Sequence, residues 1–144
     1  MKVVIQRSKN SSVSVDNKVV GQIEKGLVVL VGFTHGDTIK DIDYMINKII
    51  NVRIFDGTPE QSVLDVNGEI LAISQFTLYA NSKKGRRPSY VDALANSEAK
   101  VMYDLFIERL KATNIKVETG IFGADMQVNI TNDGPFTIIM DSKE

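Results

Sequence analysis

The chain has 144 residues, 43 % hydrophobic and 24 % charged, a composition typical of ordinary globular proteins. It contains no Cys and no Trp, and its single His is His35, so disulfides, thiolate metal sites, Cys nucleophiles and multi-His metal sites are excluded. The formal net charge is −1, which excludes a globally basic protein that coats a polyanion but allows a local basic patch.

The first third of the chain is typical of β structure. Short strands are predicted at residues 2–7, 12–15 and 19–23, and a turn at 16–18 closes the last two into a hairpin. The run at 27–33 is continuously apolar and rich in β-branched residues, which favours a strand buried on both faces. The chain therefore opens with locally paired strands, followed by a fully buried one.

A helix is predicted next. Apolar side chains recur at helical spacing, at Ile39, Ile42, Ile46, Ile49 and Ile50. Thr38 precedes them as a cap, and Asp41 lies in the first turn, where its charge suits the helix dipole. We expect this helix to end near Asn51 and residues 52–55 to lead into a further strand.

The second half of the chain alternates strand and helix patterns. We predict a strand at 69–78, a polar loop at 81–89 and a second helix at 90–112 with an apolar stripe. Residues 115–140 return to a β pattern with glycine interruptions. No linker or repeat divides the chain. We therefore predict one domain, residues 1–144, of the α/β class, with two main helices covering a mostly antiparallel sheet.

Polar residues interrupt the end of the strand predicted at 69–78. Ser74, Gln75 and Thr77 follow an apolar run. A half-buried strand with its polar face in solvent accounts for this pattern. Strand ends also gather ligands, and free backbone N–H groups there can stabilise an oxyanion. Composition alone favours the first interpretation.

A basic segment falls in the loop after this strand. It consists of Lys83, Lys84, Arg86 and Arg87. The segment is either an ordinary solvated loop or a contact for nucleic-acid phosphates, which position a partner without specifying its sequence. The residues alone do not choose between the two.

A Gly-Pro pair, Gly134-Pro135, follows Asn132-Asp133 between two β-patterned runs. Such a sequence is usually a plain turn. X-Pro bonds are also the only peptide bonds that adopt the cis form at low cost. A cis bond would redirect the carbonyls of Asp133 and Gly134 into a rigid pair of acceptors.

Standard catalytic motifs do not occur in the chain. There is no P-loop, no dinucleotide-binding fingerprint and no zinc-protease helix, and Ser74 lacks the flanking glycines of a nucleophile elbow. We interpret His35 as an exposed loop residue, because nothing in the sequence links it to a serine.

These segments, taken together and in this order, resemble the D-aminoacyl-tRNA deacylases over essentially the whole chain. The resemblance is carried by Ser74-Gln75-Phe76-Thr77-Leu78, by Asn132-Asp133-Gly134-Pro135-Phe136-Thr137, by the opening Met1-Lys2-Val3-Val4-Ile5-Gln6-Arg7, and by residues 84–90 and 119–126. Phe136 stands where many relatives have a smaller β-branched residue. Five segments in family order make the resemblance specific.

The resemblance implies a homodimer of three-layer α/β/β subunits with active sites at the subunit interface. It implies hydrolysis of the ester that joins a D-amino acid, or glycine on tRNA(Ala), to the 3′-terminal adenosine of tRNA, with no metal or other cofactor. Such an enzyme is expected in the cytoplasm. No segment has the pattern of a signal peptide or the length of a membrane span.

The resemblance also implies residue roles. In the family the Gly-Pro bond is cis and enters the partner's active site, where its carbonyls bind the substrate α-amino group and exclude an L side chain. Carried over, Gly134 and Pro135 form the chiral gate and Arg7 locks it. Phe122 and Met126 resemble residues of the pocket for the terminal adenine, and the basic segment is the expected tRNA contact.

Two routes are open for the chemistry at the segment Ser74, Gln75, Phe76 and Thr77. Thr77 could act as nucleophile, but a threonine hydroxyl needs a base and the sequence offers no evident one. Alternatively, the substrate's 2′-hydroxyl or a water that it orients supports hydrolysis, while the backbone N–H groups of Phe76 and Thr77 form an oxyanion hole. We favour the second route, since an aminoacyl ester is already labile.

A different class of protein fits some of the same residues. A non-catalytic dimeric module could bind RNA or a single strand through the basic segment. It would bind without turnover and would not distinguish D- from L-aminoacyl esters.

Overall fold

The computed structural model describes residues 1–144 and places five strands in one mixed sheet. The elements are β1 (Lys2–Val15), β2 (Lys18–Gly32), α1 (Ile39–Asn51), β3 (Glu69–Ser74), a 3₁₀-helix (Phe76–Tyr79), α2 (Asn96–Lys111), β4 (Val117–Thr119) and β5 (Gln127–Asp141). The strand order is β4-β3-β2-β1-β5. The long β1–β2 and β1–β5 ladders are antiparallel, whereas β3 runs parallel to β2 and β4. The predicted α/β class is confirmed, and the parallel strands make the sheet mixed.

β1 and β2 form one long hairpin. Asp16 and Asn17 at its tip have φ of 49° and 64°, the left-handed values that a two-residue turn of type I′ requires. The turn lies where the sequence predicts it. The strands predicted at 2–7 and 12–15 are a single strand, which continues through an irregular step at Asn10, whose φ is 42°.

The outer part of the hairpin folds across the sheet. Gly21 of β2 lies against Thr119 of β4, although β3 separates these two strands in the sheet; a Cβ on Gly21 would be 2.6 Å from the Thr119 carbonyl oxygen. Val13 and Ile23 bury a small second core with Ile73 of β3. The helices and the larger core cover the other face, so the layers are α/β/β.

α1 begins as the sequence predicts. The Thr38 side chain accepts from the N–H of Lys40 at 3.3 Å, and the Asp41 carboxylate accepts from the N–H of Thr38 at 2.8 Å, which completes a capping box. Partial burial raises the pKa of Asp41. The hydrogen bonds from Thr38, Ser142 and Lys143 outweigh this effect and lower the pKa to about 2.

Two strand predictions are wrong. Residues 52–55 do not lead into a strand, because Phe55 pairs only with Gln61, through two isolated backbone hydrogen bonds. β3 stops at Ser74 rather than at residue 78. Its neighbour β2 ends at Gly32, so no strand lies alongside to continue the ladder.

The second helix is shorter than predicted. α2 begins at Asn96, not at residue 90, because the chain before it pairs with the residues that follow β2. The N–H of Leu94 donates to the carbonyl oxygen of Phe33 at 3.0 Å and not to that of Tyr90, as an α-helix would require. Neither α-helix is both long and apolar enough to span a lipid bilayer.

Candidate active site

The predicted catalytic segment lies where β3 ends. Ser74 is the last residue of β3, and the N–H of Gln75 donates to the carbonyl oxygen of Val31 in β2 at 2.7 Å. The chain then turns into the 3₁₀-helix, which has no side-chain cap. The N–H groups of Phe76 and Thr77 open this helix and have no acceptor. Two adjacent free donors therefore stand at the end of β3.

The hydroxyl of Thr77 contacts an amide rather than a base. The Gln75 side-chain nitrogen donates to Oγ1 of Thr77. An amide N–H cannot take a proton from a hydroxyl, so this contact orients Thr77 without activating it. His35 is engaged elsewhere, with its Nε2 2.8 Å from the carbonyl oxygen of Val91. No general base is therefore paired with Thr77.

A cavity of about 310 Å³ opens beside this segment. Its walls are the ends of β2 and β3, the first residues of α2 and the chain that leads into β5. Of the predicted site residues, it is lined by Ser74, Gln75, Phe76, Phe122 and Met126. Ten of its 15 lining residues are hydrophobic, which suits a flat aromatic ligand.

Aromatic residues that the sequence analysis did not single out support this cavity. The Tyr103 ring lies 5.7 Å from the Phe122 ring, and its hydroxyl donates to the carbonyl oxygen of Ala72 at 2.9 Å. Burial raises the pKa of Tyr103 and keeps it a donor. Tyr90 packs edge-on against Phe76 at 5.2 Å. The spacing of four residues between Ala99 and Tyr103 on α2 is the signal that could have found Tyr103.

The predicted gate lies in a large bulge of β5. Gln6 of β1 pairs with Thr137, whereas Ser8 pairs with Asn132. Residues 133–136 of β5 therefore lie opposite the one intervening residue of β1. That residue is Arg7.

Arg7 holds the bulge. Its Nε donates to the carbonyl oxygen of Asp133 at 2.9 Å and its Nη1 to that of Ile54 at 2.7 Å. The guanidinium carbon lies 5.1 Å from the centre of the Phe136 ring. The Gly134-Pro135 peptide bond within the bulge is cis. Of the two carbonyls expected as free acceptors, that of Asp133 is already bonded to Arg7.

Asn132 also braces the bulge, a role that was not predicted from the sequence. Its Oδ1 accepts from the N–H of Phe136 at 2.9 Å, and its Nδ2 donates to Oγ1 of Thr137 at 2.8 Å. An Asn that precedes a Gly-Pro turn is the signal that could have found it, because Asn side chains often bond their own backbone across a turn.

Within one chain, the bulge that carries the predicted gate lies far from the cavity at the end of β3. β5 is an edge strand, and β1 and β2 lie between it and β3, which corresponds to roughly 14 Å at ordinary strand spacing. Arg7, Gly134 and Pro135 do not line the cavity, and neither does Thr77. The structure thus joins the strand end to the predicted adenine-pocket residues and leaves the gate elsewhere.

The basic segment lies on a closed loop. The backbones of Asn81 and Ser89 exchange two hydrogen bonds of 2.8 Å at its base, and Gly85 has a φ of 63° at its tip. All four basic side chains are exposed, and none forms an ion pair. These four side chains are therefore available to contact a polyanion.

The arrangement of the acidic and His side chains does not suggest a metal centre. No group of three or more His, Asp or Glu side chains could hold a metal ion. The cavity lining contains no carboxylate and no imidazole.

Comparison with known proteins places this geometry in a family. The family model for D-Tyr-tRNA(Tyr) deacylase matches residues 4–141. A D-aminoacyl-tRNA deacylase from Aquifex aeolicus is 56 % identical over 147 residues, covering 100 % of this chain and 99 % of the relative. One from Clostridium botulinum is 52 % identical over the same length and coverage.

Two solved structures share the fold. One is named "c-Myc DNA Unwinding Element Binding Protein", with a TM-score of 0.91, 38 % identity and 98 % of each chain covered. The other, described as a "probable eukaryotic D-amino acid tRNA deacylase", has a TM-score of 0.84 over 96 % of this chain and 97 % of its own. Its 19 % identity supports the fold alone.

Proposed function

The chain belongs to the D-Tyr-tRNA(Tyr) deacylase family and is a hydrolase of D-aminoacyl-tRNA, and we propose that it cleaves the ester at the end of β3. The observation that carries this proposal is the pair of unpartnered N–H groups, on Phe76 and Thr77, beside a cavity of about 310 Å³. Such a cavity is large enough for a nucleoside. The products are free D-amino acid and tRNA.

The terminal adenosine of the substrate occupies the cavity. Phe122 and Met126 contact the adenine from the chain that leads into β5, and Tyr103 fixes the Phe122 ring from behind. The largely apolar walls bury the base, so the ester at the ribose 3′-oxygen is held at the rim formed by Gln75 and Phe76.

Backbone groups and the substrate itself carry the chemistry. The ester carbonyl oxygen accepts hydrogen bonds from the N–H groups of Phe76 and Thr77, which stabilise the negative charge that develops there. A water oriented by the ribose 2′-hydroxyl attacks the carbonyl carbon. The bond to the 3′-oxygen then breaks, and the proton released by the water passes to that oxygen. Thr77 supplies its N–H and is not the nucleophile.

A second copy of the chain completes the site. The bulge with Gly134 and Pro135 stands on the edge strand β5, whose outer side pairs with no strand of its own chain, and Ile139 on this strand is 73 % exposed. In a homodimer, the partner's Gly134 and Pro135 lie over the cavity, and their backbone carbonyls bind the substrate α-amino group.

The gate works by exclusion. Arg7 bonds the carbonyl of Asp133 and so braces the bulge from which the Gly134 and Pro135 carbonyls reach the α-amino group. With that group fixed, an L side chain would point into the gate backbone, whereas a D side chain points away. Glycine has no side chain to exclude. We therefore expect glycyl-tRNA(Ala) to be cleaved as well.

The basic segment contacts the phosphates of the tRNA. Its four exposed cations lack partners within the chain, in a protein whose net charge is −1. Such contacts add affinity without sequence preference. A tRNA substrate also places the enzyme in the cytoplasm.

One assay tests the proposal. Single-turnover hydrolysis of D- and L-tyrosyl-tRNA at saturating enzyme is expected to release D-tyrosine at least about a hundredfold faster than L-tyrosine, because the L form meets an atomic clash in the gate. Equal rates for the two enantiomers would contradict the gate. A complete lack of hydrolysis would contradict the proposed activity.

A nucleic-acid-binding module is the second candidate. The solved structure named for binding a DNA unwinding element is 38 % identical to this chain, and the basic segment is unpaired. A binding module retains a single strand without cleaving any ester. The same assay, run beside a binding measurement with uncharged tRNA and single-stranded DNA, separates the two candidates.

A further inference from the structure

A second groove adjoins the cavity on the far side of Phe122. This outer groove has a volume of about 330 Å³ and lies between α2 and residues 119–122. Phe122 lines both the cavity and the outer groove, and the buried Tyr103 ring supports it at 5.7 Å. Phe122 is therefore the wall between two neighbouring compartments.

We infer that the outer groove binds the nucleotide that precedes the terminal adenosine of the tRNA. The inference rests on the proposed function, which places that adenosine in the cavity. The nucleic-acid strand leaves the adenosine through its 5′-phosphate, so the preceding nucleotide lies against a surface continuous with the cavity. In tRNA this nucleotide is a cytidine, so the ligand is a cytosine base with its ribose and phosphate.

The walls of the outer groove match a base. On one side stand Ile121, which is 49 % exposed, and the Phe122 ring. On the other side, Ile107 projects from the second half of α2. An exposed isoleucine beside a half-buried aromatic ring gives a flat apolar surface, on which a base stacks with little regard to its identity.

The polar groups of the outer groove match the rest of a cytidine nucleotide. Lys100 and Asp104 are one turn apart on α2, joined at 2.7 Å, and the side chain of each is 58 % exposed. The Lys100 ammonium suits the phosphate that links the two nucleotides. The Asp104 carboxylate is an acceptor, and the exocyclic amine of cytosine is a donor, which uracil replaces with a carbonyl oxygen.

Three small substrates test the inference, namely D-tyrosyl-adenosine and the same ester on the dinucleotides CpA and UpA. With the wild-type chain, kcat/KM is expected to be about tenfold higher for D-tyrosyl-CpA than for D-tyrosyl-adenosine, because one more base stacks. It is expected to be about fivefold higher for CpA than for UpA, because only cytosine donates to Asp104. Equal kcat/KM values for all three substrates would overturn the inference.

Two substitutions on α2 sharpen this test. Asp104→Asn is expected to remove the preference for CpA over UpA, since an amide both donates and accepts. Lys100→Ala is expected to lower kcat/KM for CpA about threefold and to leave D-tyrosyl-adenosine unchanged. Lys111→Ala, at the exposed far end of α2 and outside the outer groove, is the control.

The outcomes separate this inference from the proposed function. The outer groove does not bind the nucleotide if the variants lower kcat/KM equally for all three substrates. The same conclusion follows if Asp104→Asn leaves the ratio of kcat/KM for CpA to that for UpA unchanged. If no D-tyrosyl ester is cleaved, the proposed function fails and the inference fails with it.

Discussion

The two regions that the proposed reaction needs are built in opposite ways. The strand end, residues 74–77, is held by backbone alone: the pairing of β3 with β2, one bond from Gln75 to Val31 and the start of the 3₁₀-helix fix it. The gate, residues 133–136, is held by side chains: Asn132 beside it and Arg7 from the other end of the sequence. Its main anchor, Arg7, lies 126 positions away from Asp133.

This difference predicts at which residues substitutions reduce the rate of hydrolysis most. At the strand end the proposed oxyanion donors are backbone N–H groups, which survive most side-chain changes. The proposed gate also acts through its backbone, but the position of that backbone depends on Arg7, Asn132 and Gly134. We therefore expect large effects at the gate and small effects at the strand end.

Gly134→Val is expected to have the largest effect. Gly134 has a φ of 139°, and a Cβ there would lie 3.0 Å from the N of Phe136 and 3.2 Å from Nη2 of Arg7. The gate has to shift, and we expect D-tyrosyl-tRNA hydrolysis to fall at least about a hundredfold, measured under single-turnover conditions. Gly36→Val, also at positive φ (85°) but with open space around the Cβ, is the matched control.

Mixing two inactive variants tests whether the regions act across a dimer. Ala124→Phe fills the cavity but leaves the gate intact. Gly134→Val disrupts the gate but leaves the cavity open. Denaturing and refolding an equimolar mixture creates heterodimers with one complete site. About a quarter of the wild-type activity should return if two copies share each site. If activity does not return in a mixture that is shown to contain heterodimers, each active site uses the cavity and the gate of the same subunit.

Arg7→Lys is expected to have the next largest effect. A lysine has no planar fork, so it cannot bond the carbonyls of Asp133 and Ile54 together. Losing a charged hydrogen bond of this kind corresponds to about 10-fold to 100-fold in rate. Discrimination against L-tyrosyl-tRNA should fall in parallel. As a control, Lys9→Ala removes only an exposed pairing to Asp133 and should change little.

Replacing all four cations of the basic segment with Gln is expected to weaken tRNA binding about tenfold and to flatten its salt dependence. Titrations at several salt concentrations measure both effects. A variant with Gln at four exposed lysines elsewhere on the surface, Lys18, Lys40, Lys48 and Lys111, controls for overall charge. A salt dependence that does not change would exclude the basic segment from the tRNA interface.

The strand end could be predicted from the sequence because its signals are local. Ser74 and Gln75 interrupt an apolar run. The start of α1 could be predicted for the same reason, because the capping residue Thr38 lies next to the helix that it caps. The end of β3 was predicted four residues late, because strand length depends on where neighbouring strands stop. The start of α2 was missed because the bond from Leu94 to Phe33 is non-local.

The gate was less accessible to sequence reasoning. The Gly-Pro pair is visible, but the bracing by Asn132 and the bond from Arg7 to Ile54 depend on the register between β1 and β5. No local pattern encodes that register. The resemblance to a known family pointed to Arg7, whereas the residues alone gave no reason to choose it.

The single-turnover rate of Thr77→Ala on D-tyrosyl-tRNA tests the central claim most directly, because it removes the hydroxyl and keeps the N–H. Only the contact with Gln75 is lost, so we expect the rate to stay within about threefold of wild type, with Thr77→Ser as the matched variant. Abolished hydrolysis by a Thr77→Ala protein with unchanged circular dichroism and melting temperature would make the hydroxyl the nucleophile and contradict catalysis by the backbone.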